Sequence, residues 1–118
     1  MRDERLYLRD IVQAVRAIED FTAGLDGEVF TSCDDVRSAV LCKLVIIGVA
    51  AAHLSTELRE RHPEVDWTAI MAFPDAYVGL YYDIHWHDTW ETASVRIPAL
   101  GERVAHILKE EFSAPEEG

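Results

Sequence analysis

WTAIMAFPDAYVGLYYDIHWHDTW, residues 67–90, decides how the chain is read. Trp67, Ile70, Met71, Phe73, Tyr77 and Val78 recur at helical spacing, with Asp66 placed to cap the first turn. The spacing predicts a helix from Trp67 to about Leu80. Pro74 falls inside it. A proline has no amide to bond back to Ile70 and its ring crowds that turn, so a kink or break is expected there. A second helix is expected to start near His85 to Asp88 and run, bent at Pro98, to about Phe112. Its apolar stripe is Trp90, Ala93, Ile97, Leu100, Val104, Ile107 and Leu108.

Upstream of this stretch the pattern stays helical. From about Asp3 to Ala23, apolar residues at Leu8, Ile11, Val12, Val15, Ile18 and Phe21 share one stripe, and Gly24 and Gly27 are expected to end the helix. The next helix is expected to begin within Thr31 to Asp35. It is apolar almost all round from Val40 to Ala52, which predicts the central, most buried helix. Ser55 reads as the cap of a short helix, STELRERH, stopped by Pro63. No stretch alternates with period two. The expected fold is all-α: an up-and-down antiparallel bundle of four to five helices over residues 1–112, with SAPEEG (113–118) as a frayed tail.

A chain of 118 residues has room for one core. With 49% hydrophobic residues it is expected to fold, and a net charge of -11 argues against nucleic-acid binding through bulk electrostatics. Any RNA contact would be local. Cys33 and Cys42 lack a CxxC spacing and read as reduced packing residues. The charged start MRDERLYLRD has no signal-peptide character, and the apolar run Val40–Ala52 is too short to span a bilayer. A cytoplasmic protein with no cofactor is the expectation.

DERLYLRDIVQAV at the start, LVIIGVAAAHLSTELRERHPEVDW in the middle, then IMAF, YY, Trp90 and IPAL carry a family cadence over almost the whole chain. On these residues the chain resembles the HepT-like branch of the HEPN superfamily. That resemblance implies a helical homodimer, often a metal-independent ribonuclease toxin, paired with a minimal (MNT) nucleotidyltransferase antitoxin. The family's site is written R-N/D-x-x-x-H-x-Y. Its His moves a proton at the ribose 2′-OH or the leaving oxygen, and its Arg holds the phosphate. With Trp67, Ile70, Phe73 and Trp90 as anchors, the Arg position falls on Pro74, the next on Asp75, the His on Gly79 and the Tyr on Tyr81. PDAYVGLY thus stands where the motif should be. The family's polar central-helix residues, as in RNLEIIGEA, are replaced here by Cys42, Lys43, Val45 and Val49. Losing those carboxylates together with the Arg is coherent, because a buried Glu without its cation is costly. A catalytically impaired binding partner is the reading.

Other candidates are weighed against plainer roles. Tyr81 matches a tyrosine that the partner nucleotidyltransferase modifies with AMP in some family pairs; packing is the alternative. Asp83, His85, His87 and Asp88 could be drawn as a metal site, but His-x-His side chains diverge on a helix, so a capping role is preferred and no metal is expected. His85 is the possible substitute for the missing histidine, with Arg59 or Arg61 for the arginine, in the competing reading of an active ribonuclease. His53 and His106 read as surface or packing residues. The aromatics between Trp67 and Trp90 read as core and dimer interface before a base-stacking platform.

Overall fold

The carboxylate of Asp3 accepts a hydrogen bond from the Arg5 amide at 2.8 Å and opens helix α1, Glu4–Thr22. A computed structural model describes the chain over residues 3–79 and 81–112, without the side chain of Tyr81. The predicted stripe of α1 is buried at Leu8, Ile11, Val12, Val15 and Ile18, while Phe21 at its end is exposed. Gly24 follows with φ of 76°, a left-handed turn that glycine adopts without a Cβ penalty.

Gly27, expected to help end α1, instead begins a separate helix α2, Gly27–Ser32. Asp26 caps it by accepting from the Val29 amide at 2.9 Å. Helix α3 then spans Asp34–Ala52. It is buried at Val40, Leu41, Leu44, Ile47, Gly48, Ala50 and Ala51, but Ile46 is 36% and Val49 45% exposed. α3 is the most buried helix, as expected, although it is not covered all round. One apolar face of α3 packs inward and the other is open.

Ser55 caps α4 (Thr56–Arg61) by accepting from the Leu58 amide at 3.1 Å, and Asp66 caps α5 (Trp67–Met71) by accepting from the Ala69 amide at 3.1 Å. Pro74 breaks the helix. With no amide at position 74 the bond to the Ile70 carbonyl is lost. α5 ends at Met71, and after a short helical step at 73–74 the chain passes into a wide π turn, Asp75–Gly79, and a 3₁₀ turn, Tyr81–Asp83. Leu80, the expected helix end, lies outside the described residues.

The last rod runs through α6 (Trp86–Glu91), a π segment (Thr92–Arg96) and α7 (Ile97–Phe112). Within the π segment the Ile97 amide bonds back five residues, to the Thr92 carbonyl. This lies directly ahead of Pro98. An α-register here would push the proline ring against the carbonyl of residue 94, and the extra residue in the turn relieves that clash. Ala93, Ile97, Leu100, Val104 and Ile107 are buried as the stripe predicts.

Seven α-helices are therefore present among the described residues, more than the four to five expected. They form four rods. α1 packs on α3 and α7, and α3 packs on α5. Tyr7 of α1 stacks on His53 just after α3, with centroids 4.9 Å apart, so these two rods are antiparallel. Phe30 of α2 meets Trp86 and Trp90, placing α6 at the Thr22 end of α1, whereas Glu111 of α7 lies at the α4 end. The fold is the expected all-α, up-and-down bundle, with no strand among the described residues.

Candidate functional site

α5 crosses α3 at Gly48. A Cβ there would lie 2.5 Å from Pro74 Cδ and 2.7 Å from the Ile70 carbonyl oxygen. The glycine lets the proline-bearing segment sit directly on the α3 backbone. From Pro74 the π turn carries Tyr77 and Val78 along α3. There Ser38, Leu41, Cys42, Val45, Tyr77 and Val78 line an open hollow of about 370 Å³.

Of the expected motif stretch, Tyr77 and Val78 line this hollow, and Pro74 meets the central helix at Gly48. Pro74 is half-buried and Asp75 exposed, while Gly79 closes the π turn. Tyr81 begins the 3₁₀ turn, its side chain lying outside the described residues. Among the residues lining the hollow, the Cys42 thiol is the one titratable group apart from the Tyr77 phenol. No side chain lining it carries a positive charge. Such a surface can bury apolar area, but its lining offers no phosphate clamp and no imidazole for proton transfer.

The proposed substitutes do not converge on the hollow within one chain. Arg59 donates to the carbonyls of Ala51 (3.2 Å) and Leu54 (2.7 Å), closing the C-terminal end of α3. Arg61 pairs with Glu111 at 2.7 Å. Both lie at the α4 end of the bundle. His85 lies at the opposite end, exposed, immediately before α6; the length of α1, roughly 28 Å for its turns, separates the two ends. His85 is the N-cap residue of α6 but its side chain makes no capping bond; its carbonyl accepts from the Thr89 amide and hydroxyl. Asp88 sits in the first turn of α6, where its charge suits the helix dipole. Asp83, His85, His87 and Asp88 are all exposed, and no three His, Cys, Asp or Glu side chains converge as a cation site among the described residues.

The plainer readings of the other histidines hold: His53 stacks on Tyr7, and exposed His106 lies 3.7 Å from Glu110. Both cysteines are free thiols. Trp67 and Phe73 are core residues, while Tyr77, Trp86 and Trp90 pack partly buried against it. Tyr82, by contrast, is 98% exposed.

One polar cluster was invisible in the sequence. Buried His62 turns Nε2 to Glu111 and Nδ1 to Glu64 at 3.5 Å, while Arg61 grips Glu111 through two nitrogens. The Arg61 hydrogen bond, opposed by burial and aided by His62, holds the Glu111 carboxyl below the usual carboxylate range. The partners are about fifty positions apart. ELRERH alone reads as a basic helix end, and nothing in it points to Glu111.

A family model described as "Ribonuclease HepT-like" matches residues 11–107. The chain is 32% identical over 111 residues to a protein of Caldanaerobacter subterraneus subsp. tengcongensis named "Putative RNase", covering 94% of this chain and 99% of that one. It is 30% identical over 108 residues to "Probable ribonuclease HepT" of Thermococcus cleftensis, covering 92% and 98%. "Gamma-glutamylcyclotransferase and putative RNase" of Methanocaldococcus jannaschii is 28% identical over 109 residues; the chain spans 49% of that longer relative. No solved structure matches the chain.

Proposed function

This chain belongs to the HepT-like ribonuclease family, and from that premise we propose that it is a catalytically impaired, homodimeric member that acts by binding an MNT-type nucleotidyltransferase. The observation that carries the reading is Pro74 and Gly79 at the motif's Arg and His positions, beside a hollow whose lining holds no cation. Pro74 is also built into the fold, its ring seated on Gly48. The open stripe of α3, with Ile46 and Val49, continues onto Val78, which is 64% exposed. This exposed apolar stripe is of the kind that a second copy of the chain would cover, and it supports the dimer reading. Tyr81 remains the candidate acceptor for AMP, and packing its alternative.

The test is RNA cleavage by the purified chain in EDTA, beside a Pro74→Arg/Gly79→His double variant. An inert parent that co-purifies with a co-expressed nucleotidyltransferase is the expected result. The relatives are named as ribonucleases, which favours a second reading, an active ribonuclease; in this chain His85 would be the substitute histidine. Reproducible cleavage by the parent that His85→Ala abolishes would establish that second reading and remove the first.

A further inference from the structure

A separate cavity of about 240 Å³ lies between the segment from Glu64 to Phe73 and the start of α7. It shares no lining residue with the hollow over α3. Its apolar walls are Val65, Ile70, Phe73, Ile97 and Leu100, all buried. Arg96 and Arg103 also line it. They are seven positions apart, about two turns, so both guanidinium groups rise from one face of the last rod.

Four charged side chains line this cavity, Glu64 and Asp66 from one wall and Arg96 and Arg103 from the other. Glu64 faces His62, and Asp66 is occupied by the Ala69 amide. Arg96 and Arg103 make no ion pair or hydrogen bond among the described residues, although the chain carries twice as many acidic as basic residues, 22 against 11. Two uncommitted guanidinium groups beside an apolar wall call for a ligand with an anionic head and a hydrocarbon body. The volume admits a short hydrocarbon chain or a single ring.

We propose that this cavity is a binding site for a small amphiphilic carboxylate, its chain or ring lying on Ile70, Phe73 and Leu100 and its carboxylate held by Arg96 and Arg103. The site is independent of the Pro74 hollow and of any nuclease chemistry.

Octanoate and its neutral counterpart octanol are the probes, titrated into the full isotope-labelled chain and followed by NMR. Octanoate is expected to give saturable shifts at Val65, Ile70, Phe73 and Leu100. Arg96→Gln/Arg103→Gln, made at two exposed positions, is expected to weaken octanoate by about fivefold or more, as loss of charge-assisted bonds requires, and to leave octanol unchanged. Ala99→Trp, at an exposed lining residue, is expected to block both probes. Absence of saturable shifts overturns the proposal. So do shifts confined to Val45, Ile46 and Val49 on α3, or octanoate binding that the double arginine variant does not weaken.

Discussion

Pro74 and Gly48 touch across the α3–α5 crossing so closely that a methyl group at Gly48 would stand 2.5 Å from Pro74 Cδ. Pro74, expected at the family's arginine position, is thus also a residue that fixes how the segment following α5 sits on α3. Pro74 supplies no amide to the Ile70 carbonyl, and that carbonyl oxygen is the second atom pressed on Gly48, at 2.7 Å.

Gly48→Ala should therefore destabilise the chain although alanine is the better helix former. The propensity gain is at most about 1 kcal/mol. The new methyl meets a proline ring and a backbone carbonyl, neither of which can rotate aside, and overpacking of this kind costs about 1–3 kcal/mol or more. Urea denaturation is expected to give a net loss of about 1–2 kcal/mol. In a Pro74→Ala background the loss should shrink without vanishing, since the Ile70 carbonyl stays.

A second close approach joins α1 to α7. A Cβ at Gly101 would lie 2.6 Å from Val15 Cγ1 and 3.3 Å from its Cβ. Gly101→Ala is expected to cost about 1–3 kcal/mol, because a valine in a helix has essentially one χ1 rotamer. Val15→Ala removes the offending methyls. Thermal or urea melts of the double variant should show it less destabilised than the sum of the single changes, the coupling expected of residues in contact.

Much of this fold could be read from local chemistry. Ser55 and Asp66 cap the helices they were expected to cap, and Pro74 and Pro98 disturb their helices where expected, because each effect acts within one turn. Gly27 misled for the same reason. A glycine after a helix usually ends it, but Asp26 makes it the first residue of α2, and a Cβ there would meet Trp90 at 3.2 Å. Periodicity also could not say how α3 is covered. An all-round apolar helix reads as buried whether its second face meets its own chain or remains open, and the open face emerges only once α1 and α5 are placed. The anchors Trp67, Ile70, Phe73 and Trp90, on which the expected motif positions rest, were legible in the sequence. The distance between His85 and the arginines of α4 was not, because it depends on which rods are antiparallel.

The Glu111 clasp predicts a pH dependence. Its folded carboxyl titrates below the ordinary carboxylate range, chiefly because Arg61 donates to it. A depressed folded value means stability that is full above the unfolded carboxylate pKa, about 4.3, and lost as pH falls through the lower folded value. At neutral pH, Glu111→Gln is expected to lower stability by about 1 kcal/mol, the scale of a partly screened charge-assisted bond. Below about pH 4 the parent should converge on the variant. A gap that stayed constant through that window in paired urea titrations would show that the clasp acts by packing alone.

The exposed stripe of α3 gives the most direct test of assembly. Val49 is 45% exposed in the single chain, so Val49→Glu removes little intrachain packing and should change monomer stability by no more than about 0.5 kcal/mol. In a two-fold dimer built on this face each substitution counts twice. A carboxylate from each copy would be brought into an apolar contact, and burying such charges unpaired costs several kcal/mol. Sedimentation equilibrium is therefore expected to show the parent as a dimer and Val49→Glu as a folded monomer with unchanged far-UV circular dichroism. Glu102→Ala, on the exposed side of α7, should remain dimeric. A Val49→Glu chain that stays dimeric would move the interface off α3. The open apolar face would then need a different occupant, since neither α1 nor α5 covers it.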